Sequence, residues 1–244
     1  DIISDVNMAY SEHARRYLAD TGLPKERTYV TGSPMAEVLH ANLDKIEASD
    51  VHQRLGLTKG QYILLSAHRE ENIDTDRNFV QLFTAVNAMA EKYDMPILYS
   101  CHPRSRKRLE ATGFQLDTRV IAHEPLGFLD YNCLQMNAFA VVSDSGTLPE
   151  ESSFFLSVGK PFPAVSIRTS TERPEALDAG CFVLAGIDAD SLLQAVEMAV
   201  GMQRAECFGT PVAGYTAENV SMKVARIIQS YTGIVNKMVW RKDE

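Results

Sequence analysis

Hydrophobic residues occur along this chain in short runs that alternate with longer amphipathic stretches. The runs predict strands over residues 62–66, 96–100, 120–122, 138–142, 162–167 and 181–185. The stretches between and after them carry apolar residues at helical spacing, which predicts helices over residues 78–93, 105–112, 128–137, 174–179 and 191–202, and one that begins at Leu148. Because strands that are apolar on both faces alternate with helices, the sequence predicts an α/β fold with a doubly wound, Rossmann-like parallel sheet.

The two ends of the chain do not continue this alternation. A strand over 6–10, a helix over 12–20 and a strand over 29–31 precede a connecting helix over 35–48, and an amphipathic helix over 218–231 follows the last unit of the sheet. We interpret the elements of residues 1–31 as the last pieces of a preceding α/β domain.

The composition narrows the class of protein. Of 244 residues, 24 are basic and 32 are acidic, and the resulting net charge of −8 disfavours a nucleic-acid-binding protein. No uncharged apolar run approaches the roughly 18 residues of a membrane span, and the first residues lack the pattern of a secretory signal. The four cysteines form no C-x-x-C pair and the six histidines are scattered, which indicates reduced thiols in a cytoplasmic protein without a metal site.

Candidate functional residues follow the predicted strands, at the edge of the sheet where such folds bind ligands. The segments are a polar loop over 67–72, then 101–104, 125–131 with two aromatic rings, 143–151 with small residues before a helix, and 168–175 with two arginines. Imidazole groups, guanidinium groups and backbone N–H groups at a helix start all bind phosphate. Each segment also has a purely structural interpretation, as a solvated loop, a helix cap or a core anchor. Because all five converge on one edge, we expect a phosphorylated small-molecule ligand there.

An ordered set of motifs makes this expectation specific. The set is His68-Arg69-x-Glu71-Asn72, His102-Pro103, Ser143-Asp-Ser-Gly146 with Glu150-Glu151, Gly159-Lys-Pro161 and Thr171-Glu-Arg-Pro-Glu175-Ala176. In this order it resembles the non-hydrolysing UDP-N-acetylglucosamine 2-epimerase family. Within that family the sequence looks most like the branch that forms UDP-N-acetyl-L-fucosamine for bacterial surface polysaccharides.

The resemblance implies a two-domain GT-B-like fold with the active site in the cleft. This chain would then supply the second domain and part of the first. Residues 1–45 would be a remnant of the N-terminal α/β domain plus the connecting helix, residues 46–211 the UDP-binding Rossmann-like domain, and residues 212–244 a C-terminal helix returning to the N-terminal domain. The resemblance further implies a cytoplasmic homodimer that uses no cofactor, with a UDP-sugar as substrate and no nucleic-acid or membrane partner.

The resemblance also implies roles for individual residues. His68 and Arg173 would contact the diphosphate, Ser145, Gly146 and Thr147 would cradle phosphate, Glu151 would hold the ribose, and Tyr131 with the Leu126 backbone would hold uracil. Arg69 and His102 match positions that bind a second, regulatory UDP-sugar in some bacterial members. The family often has Gly-Gly where this chain has Gly146-Thr147, and the stretch between Glu151 and Gly159 is longer than in the common form.

The family reaction inverts C2 of the sugar. A carboxylate removes the C2 proton while the C1–O bond to UDP breaks, and UDP then adds back to the resulting glycal with a proton delivered to the opposite face. His68 and Glu71 are the candidate catalytic residues of this chain, and the main acid and base carboxylates are expected from the first domain. We therefore expect this chain to bind UDP without epimerising it. The alternatives are a GT-B glycosyltransferase, a hydrolysing relative and a non-catalytic UDP-sugar-binding module.

Overall fold

A computed structural model of the protein describes residues 2–168, 170–171 and 173–242. Asp1, Thr169 and Glu172, which the sequence analysis included at the chain start and in the last polar segment, lie outside the described residues, as do residues 243–244. The strands are β1 (Asn7–Ala9), β2 (Thr28–Val30), β3 (Ile63–Ser66), β4 (Ile97–Ser100), β5 (Val120–His123), β6 (Ala140–Ser143), β7 (Ala164–Ile167) and β8 (Val183–Ala185). The helices are α1 (Glu12–Asp20), α2 (Pro34–Glu47), α3 (Val51–Leu55), α4 (Glu70–Ile73), α5 (Asp76–Tyr93), α6 (Pro103–Thr112), α7 (Phe128–Met136), α8 (Leu148–Ser157), α9 (Pro174–Asp178), α10 (Ala189–Arg204) and α11 (Val220–Met238).

Six strands form one parallel sheet in the order β5-β4-β3-β6-β7-β8. The chain builds outward from β3 in one direction through β4 and β5, then crosses to the other side of β3 and continues through β6, β7 and β8. The strand order therefore reverses between β3 and β6, whose last residues Ser66 and Ser143 are partners in the register. Ligands of open parallel sheets bind beyond the carboxyl ends of the strands at such a reversal.

The hydrophobic core is built from the central strand and two long helices. Residues 63–65 of β3 are fully buried, as expected for a central strand covered on both faces. The long helices α5 and α10 contribute the largest helical share of the core, and both begin at a side-chain cap. The Thr75 hydroxyl accepts from the Asn78 amide at 3.2 Å, and the Asp188 carboxylate accepts from the Ser191 amide at 2.9 Å.

The chain divides into two compact units, residues 42–210 and residues 1–41 together with 211–244. The six-stranded sheet belongs to the first unit. In the second unit, β1 and β2 pair in parallel, and the Ser11 hydroxyl caps α1. The Glu37 carboxylate there accepts from the amide and the hydroxyl of Ser221, at 3.0 and 2.6 Å, and so fixes the first turn of α11. The assignment of functional domains to residues 1–45, 46–211 and 212–244 stays a prediction.

The sequence patterns missed two short helices and the length of a third. The polar segment 67–72 was expected to be a loop, but Glu70–Ile73 form α4, which buries Asn72 and Ile73. Helices of four or five residues, such as α3 and α4, are too short to repeat an apolar spacing. Helix α11 runs to Met238 rather than ending at Tyr231, because polar and apolar residues continue at helical spacing.

A buried polar cluster joins α3, β3 and α7. The Tyr62 hydroxyl donates to the Leu134 carbonyl, and Nε2 of the buried His52 lies 3.0 Å from the same hydroxyl oxygen. Because the Tyr62 hydroxyl donates its only proton to the Leu134 carbonyl, it can only accept from His52, so Nε2 of His52 is the protonated ring nitrogen. The other ring nitrogen, Nδ1, lies 3.9 Å from the Cys133 sulfur. Burial lowers the pKa of His52, with a smaller contribution from the nearby Lys59.

Acidification is expected to destabilise the protein through His52. The lowered pKa means that the unfolded chain takes up this proton more readily than the folded chain, so the free energy of unfolding falls as the pH drops below the ordinary value of 6.5. Urea denaturation at about pH 7.5 and about pH 5.5 measures this loss. The loss should shrink in His52→Gln and persist in the control His13→Gln, whose side chain is exposed. An equal loss in both variants would contradict the assignment.

Candidate functional site

The fully buried carboxylate of Asp144 organises the carboxyl edge of the sheet. Its Oδ2 accepts from the backbone amides of His68 and Arg69 at 2.9 and 2.8 Å, and from the Asn72 side-chain amide at 3.1 Å. Its Oδ1 lies 3.1 Å from Nδ1 of His68, whose ring is half-exposed. Asn72 also donates to the Ile167 carbonyl at 3.0 Å. Asp144 therefore ties the segment after β6 to the segment after β3, and Asn72 extends the tie to the end of β7.

Two guanidinium groups lie beside Gly146. Arg69 donates from Nε to the Asp144 carbonyl at 2.8 Å, which turns its guanidinium toward the start of α8. A Cβ placed on Gly146 would lie 3.2 Å from Arg69 Nη2 and 4.0 Å from Arg168 Nη1. Arg168 follows β7 and is buried, with Nε 3.8 Å from a carboxylate oxygen of Glu71. Positive charge at a helix N-terminus favours an anion, and glycine leaves room for it to approach.

A chain of hydroxyl and carboxylate groups continues from this helix start into the core. The Ser145 and Thr147 hydroxyls lie 2.9 Å apart, and the Thr147 hydroxyl donates to Glu151 Oε1 at 2.8 Å. The other oxygen of Glu151 accepts from the Gln135 side-chain amide, also at 2.8 Å. Burial raises the pKa of Glu151, and the hydrogen bonds from Gln135 and Thr147 oppose that rise.

The aromatic residue of the site is Tyr131 on α7, and its ring is partly buried. Burial raises the pKa of its hydroxyl, and the negative charge of Glu151 raises it further, while the hydroxyls of Ser143 and Ser66 act in the opposite direction. Tyr131 therefore lies at the reversal between β3 and β6. Leu126 precedes the same helix and is partly buried.

Two further predicted residues take part in ion pairs. Arg173 donates from Nε and Nη2 to one carboxylate oxygen of the buried Glu150, at 3.2 and 2.9 Å. This pair connects the start of α9 to the first turn of α8, next to Glu151. Glu71, on α4, is partly exposed and faces Arg168.

His102 has a structural role in the described residues. Its Nδ1 accepts from the Arg104 amide at 3.3 Å and caps α6, and its side chain is exposed. The Arg104 guanidinium pairs with Asp74 at 2.8 Å and with Glu70 at 3.1 Å. None of the contacts that the described residues make joins His102 to Arg69, so the regulatory site stays a prediction.

Sequence reasoning missed four contributors to this site. Asp144, Asn72 and Arg168 lie in the predicted functional segments, but the sequence alone assigns no individual role to any of them. Gln135 lies inside an apolar helix pattern, where the single signal is a polar residue on a buried face. Within residues 2–168, 170–171 and 173–242 no cluster of His, Cys, Asp or Glu is arranged to hold a metal ion, and no helix is long and apolar enough to cross a membrane.

Comparison with known proteins identifies the family. The sequence model described as UDP-N-acetylglucosamine 2-epimerase matches residues 1–229. The chain belongs to the UDP-N-acetylglucosamine 2-epimerase family. This confirms the family that the ordered motifs predict, while the UDP-N-acetyl-L-fucosamine-forming branch stays a prediction.

The relatives extend beyond this chain. A UDP-N-acetylglucosamine 2-epimerase of Methanococcus maripaludis is 32% identical over 204 residues, which is 81% of this chain and 54% of the relative. The solved UDP-N-acetylglucosamine 2-epimerase of Rickettsia bellii is 40% identical with a TM-score of 0.87, over 98% of this chain and 63% of that one. The Methanocaldococcus jannaschii enzyme, solved in complex with UDP-GlcNAc and UDP, is 27% identical with a TM-score of 0.82, over 94% and 62%. This chain thus spans little more than half the length of such epimerases. The likeness confirms the predicted α/β fold, a doubly wound parallel sheet of the GT-B-like class.

Removing the buried carboxylate should destabilise this epimerase-family chain more than removing a surface cap. Asp144→Ala leaves the amides of His68 and Arg69 and the Asn72 side chain without their acceptor, and we expect a loss of roughly 3 kcal/mol or more in the free energy of unfolding. Urea denaturation measures the loss. The matched control, Asp188→Ala, removes one helix cap and should cost about 1 kcal/mol. Equal losses in the two variants would contradict the central place of Asp144.

Proposed function

We propose that this chain provides the UDP-binding part of a UDP-N-acetylhexosamine 2-epimerase, which inverts C2 of the sugar through elimination and re-addition of UDP. The observation that carries the proposal is the pair of guanidinium groups, from Arg69 and Arg168, that lie beside Gly146 at the start of α8. The family membership and the complex of the Methanocaldococcus jannaschii relative with UDP-GlcNAc and UDP support it.

The diphosphate fits the helix start for electrostatic reasons. Guanidinium groups form paired hydrogen bonds with phosphate oxygens, and the N-terminus of α8 adds a partial positive charge. In the elimination step the C1–O bond breaks and UDP leaves with the bonding electrons, so negative charge develops on the diphosphate oxygen. Arg69, Arg168 and the half-exposed His68 are held in advance where that charge develops.

The ribose and uracil fit the groups that lie one turn further along α8 and on the neighbouring helix α7. Glu151 keeps lone pairs for ribose hydroxyls, because a carboxylate offers about four acceptor sites and two are used by Thr147 and Gln135. The Tyr131 ring and the backbone at Leu126 supply a surface and polar groups for uracil, on the helix that also carries Gln135. We assign the sugar to the class of UDP-N-acetylhexosamines, with the fucosamine-forming branch as the finer candidate.

Arg168 is expected to bind the diphosphate directly. Arg168→Gln should weaken UDP binding about tenfold or more, because it removes a charged donor from a partly desolvated site. Isothermal titration calorimetry of the 244-residue chain with UDP measures the effect. The control Arg119→Gln removes a guanidinium that pairs with Asp117 and Asp94 at the other end of the strands, and should leave the affinity unchanged. The proposal fails if wild-type chain does not bind UDP.

Turnover is expected to need groups that residues 42–210 do not supply. Three buried carboxylates near the start of α8 have binding or structural roles: Glu150 pairs with Arg173, Glu151 is assigned to the ribose, and Asp144 holds the segment after β3. Glu71 remains partly exposed but faces Arg168. We therefore expect the chain to bind a UDP-sugar without exchanging its C2 proton.

Proton NMR in D₂O tests this expectation with UDP-GlcNAc as the probe. The 244-residue chain alone should incorporate no deuterium at C2. A chimera that joins it to the part of the Rickettsia bellii relative that it does not cover should incorporate deuterium and form the C2 epimer. Exchange by the chain alone would contradict the expectation. A folded chimera that binds UDP-GlcNAc without exchange would favour the glycosyltransferase or the binding-module alternative.

A further inference from the structure

Helix α7 buries two amide side chains, Asn132 and Gln135, and Gln135 is fully buried. A buried amide is costly unless it is hydrogen-bonded. The Nε2 of Gln135 meets this requirement by donating to Glu151 at 2.8 Å, whereas its buried Oε1 has no hydrogen-bond partner among the described residues. The contact links two helices that flank the carboxyl edge of the sheet, α7 and α8.

Thr147 makes the matching contact on the other oxygen of the same carboxylate. Its hydroxyl donates to Glu151 Oε1 at 2.8 Å, and lies 2.9 Å from the Ser145 hydroxyl. A glycine at position 147 would supply no such donor. The carboxylate is thus held from two sides, by one donor from the core and one from the helix start.

Two donors matter here because the carboxylate is buried. Burial favours the protonated form of Glu151, and the neighbouring charge of Glu150 on the same helix acts in the same direction. Glu150 itself pairs with Arg173 at 2.9 Å. Tyr131, on α7, also interacts with Glu151, but the pKa of its hydroxyl is raised, so the hydroxyl is neutral near pH 7. Gln135 and Thr147 are the hydrogen-bond donors that favour the ionised carboxylate.

We propose that Gln135 and Thr147 are positioning residues for nucleotide recognition, which hold the Glu151 carboxylate as an acceptor-only group aimed at the two ribose hydroxyls. The inference rests on the proposed function, because it takes Glu151 as the ribose-binding residue. It adds that the preference for a ligand with ribose hydroxyls depends on the buried amide of Gln135, which itself contacts no ligand. It also makes the ribose and diphosphate sites parts of one hydrogen-bonded chain, through Ser145 and Thr147.

The test compares UDP with 2′,3′-dideoxy-UDP, which lacks both hydroxyls. Calorimetry gives the affinity ratio of the two ligands for the 244-residue chain between about pH 6.5 and about pH 8.5. Both ligands carry the same base and diphosphate, so titration of those groups cancels in the ratio. Wild-type protein should prefer UDP by about tenfold or more, and Glu151→Gln should lose most of that preference.

Gln135→Met removes the donor while keeping the side chain's length. At the lower pH its preference for UDP should fall about tenfold, toward that of Glu151→Gln, because loss of the Gln135 donor raises the pKa of Glu151 further and favours its protonated form. The preference should return as the pH is raised, and a merely structural role for Gln135 would give no such recovery. Thr147→Val should lower and recover the preference in the same way, whereas the control Thr147→Ser keeps a hydroxyl and should keep the wild-type ratio.

The outcomes separate this inference from the proposed function. A wild-type preference that Glu151→Gln abolishes, but that Gln135→Met and Thr147→Val retain at every pH, overturns the positioning role alone. The positioning role is also overturned if folded Gln135→Met or Thr147→Val loses the preference for UDP at every pH and does not recover it when the pH is raised. If Gln135→Met does not fold, the comparison of Thr147→Val with Thr147→Ser decides. No binding of UDP by wild-type protein overturns both proposals.

Discussion

The site depends on one buried carboxylate, Asp144, at the reversal of the strand order. A buried carboxylate is costly unless it is hydrogen-bonded, and Oδ2 of Asp144 accepts from two backbone amides and a side-chain amide, while Oδ1 lies 3.1 Å from the His68 imidazole. These partners come from the segment after β3, while Asp144 follows β6. The carboxylate thereby fixes the backbone from which His68 and Arg69 reach solvent, and the arrangement of charges at the edge follows from it.

Further contacts at this edge place positive charge and a carboxylate where a nucleotide could bind. Arg69 and Arg168 approach Gly146 from different strand ends, and glycine at this position leaves the space between the guanidinium groups and the start of α8 open. One turn along α8, Glu151 is held by groups from its own helix and from α7. Positive charge at one end and a buried acceptor at the other match the order of diphosphate and ribose in UDP.

Much of the fold could be predicted from the sequence, because buried strands and amphipathic helices leave periodic patterns. The family also followed from an ordered set of motifs, four of which lie at or after the ends of β3, β4, β6 and β7, while Gly159-Lys-Pro161 follows α8. The partners could not be predicted, because pairing between distant segments has no local signal: Gln135 meets Glu151 from another helix, and Arg168 meets Gly146 from another strand. Helix α4 is too short to repeat an apolar spacing, and the burial of its polar residue Asn72 depends on contacts with Asp144 and the Ile167 carbonyl from distant segments.

A crystal structure of the 244-residue chain soaked with UDP would show whether the edge organised by Asp144 is a diphosphate site. We expect the diphosphate over Gly146, within hydrogen-bond distance of the Arg69 and Arg168 guanidinium groups, and the ribose hydroxyls on Glu151. Ordered UDP at the amino ends of the strands, or a diphosphate that touches neither arginine, would contradict it.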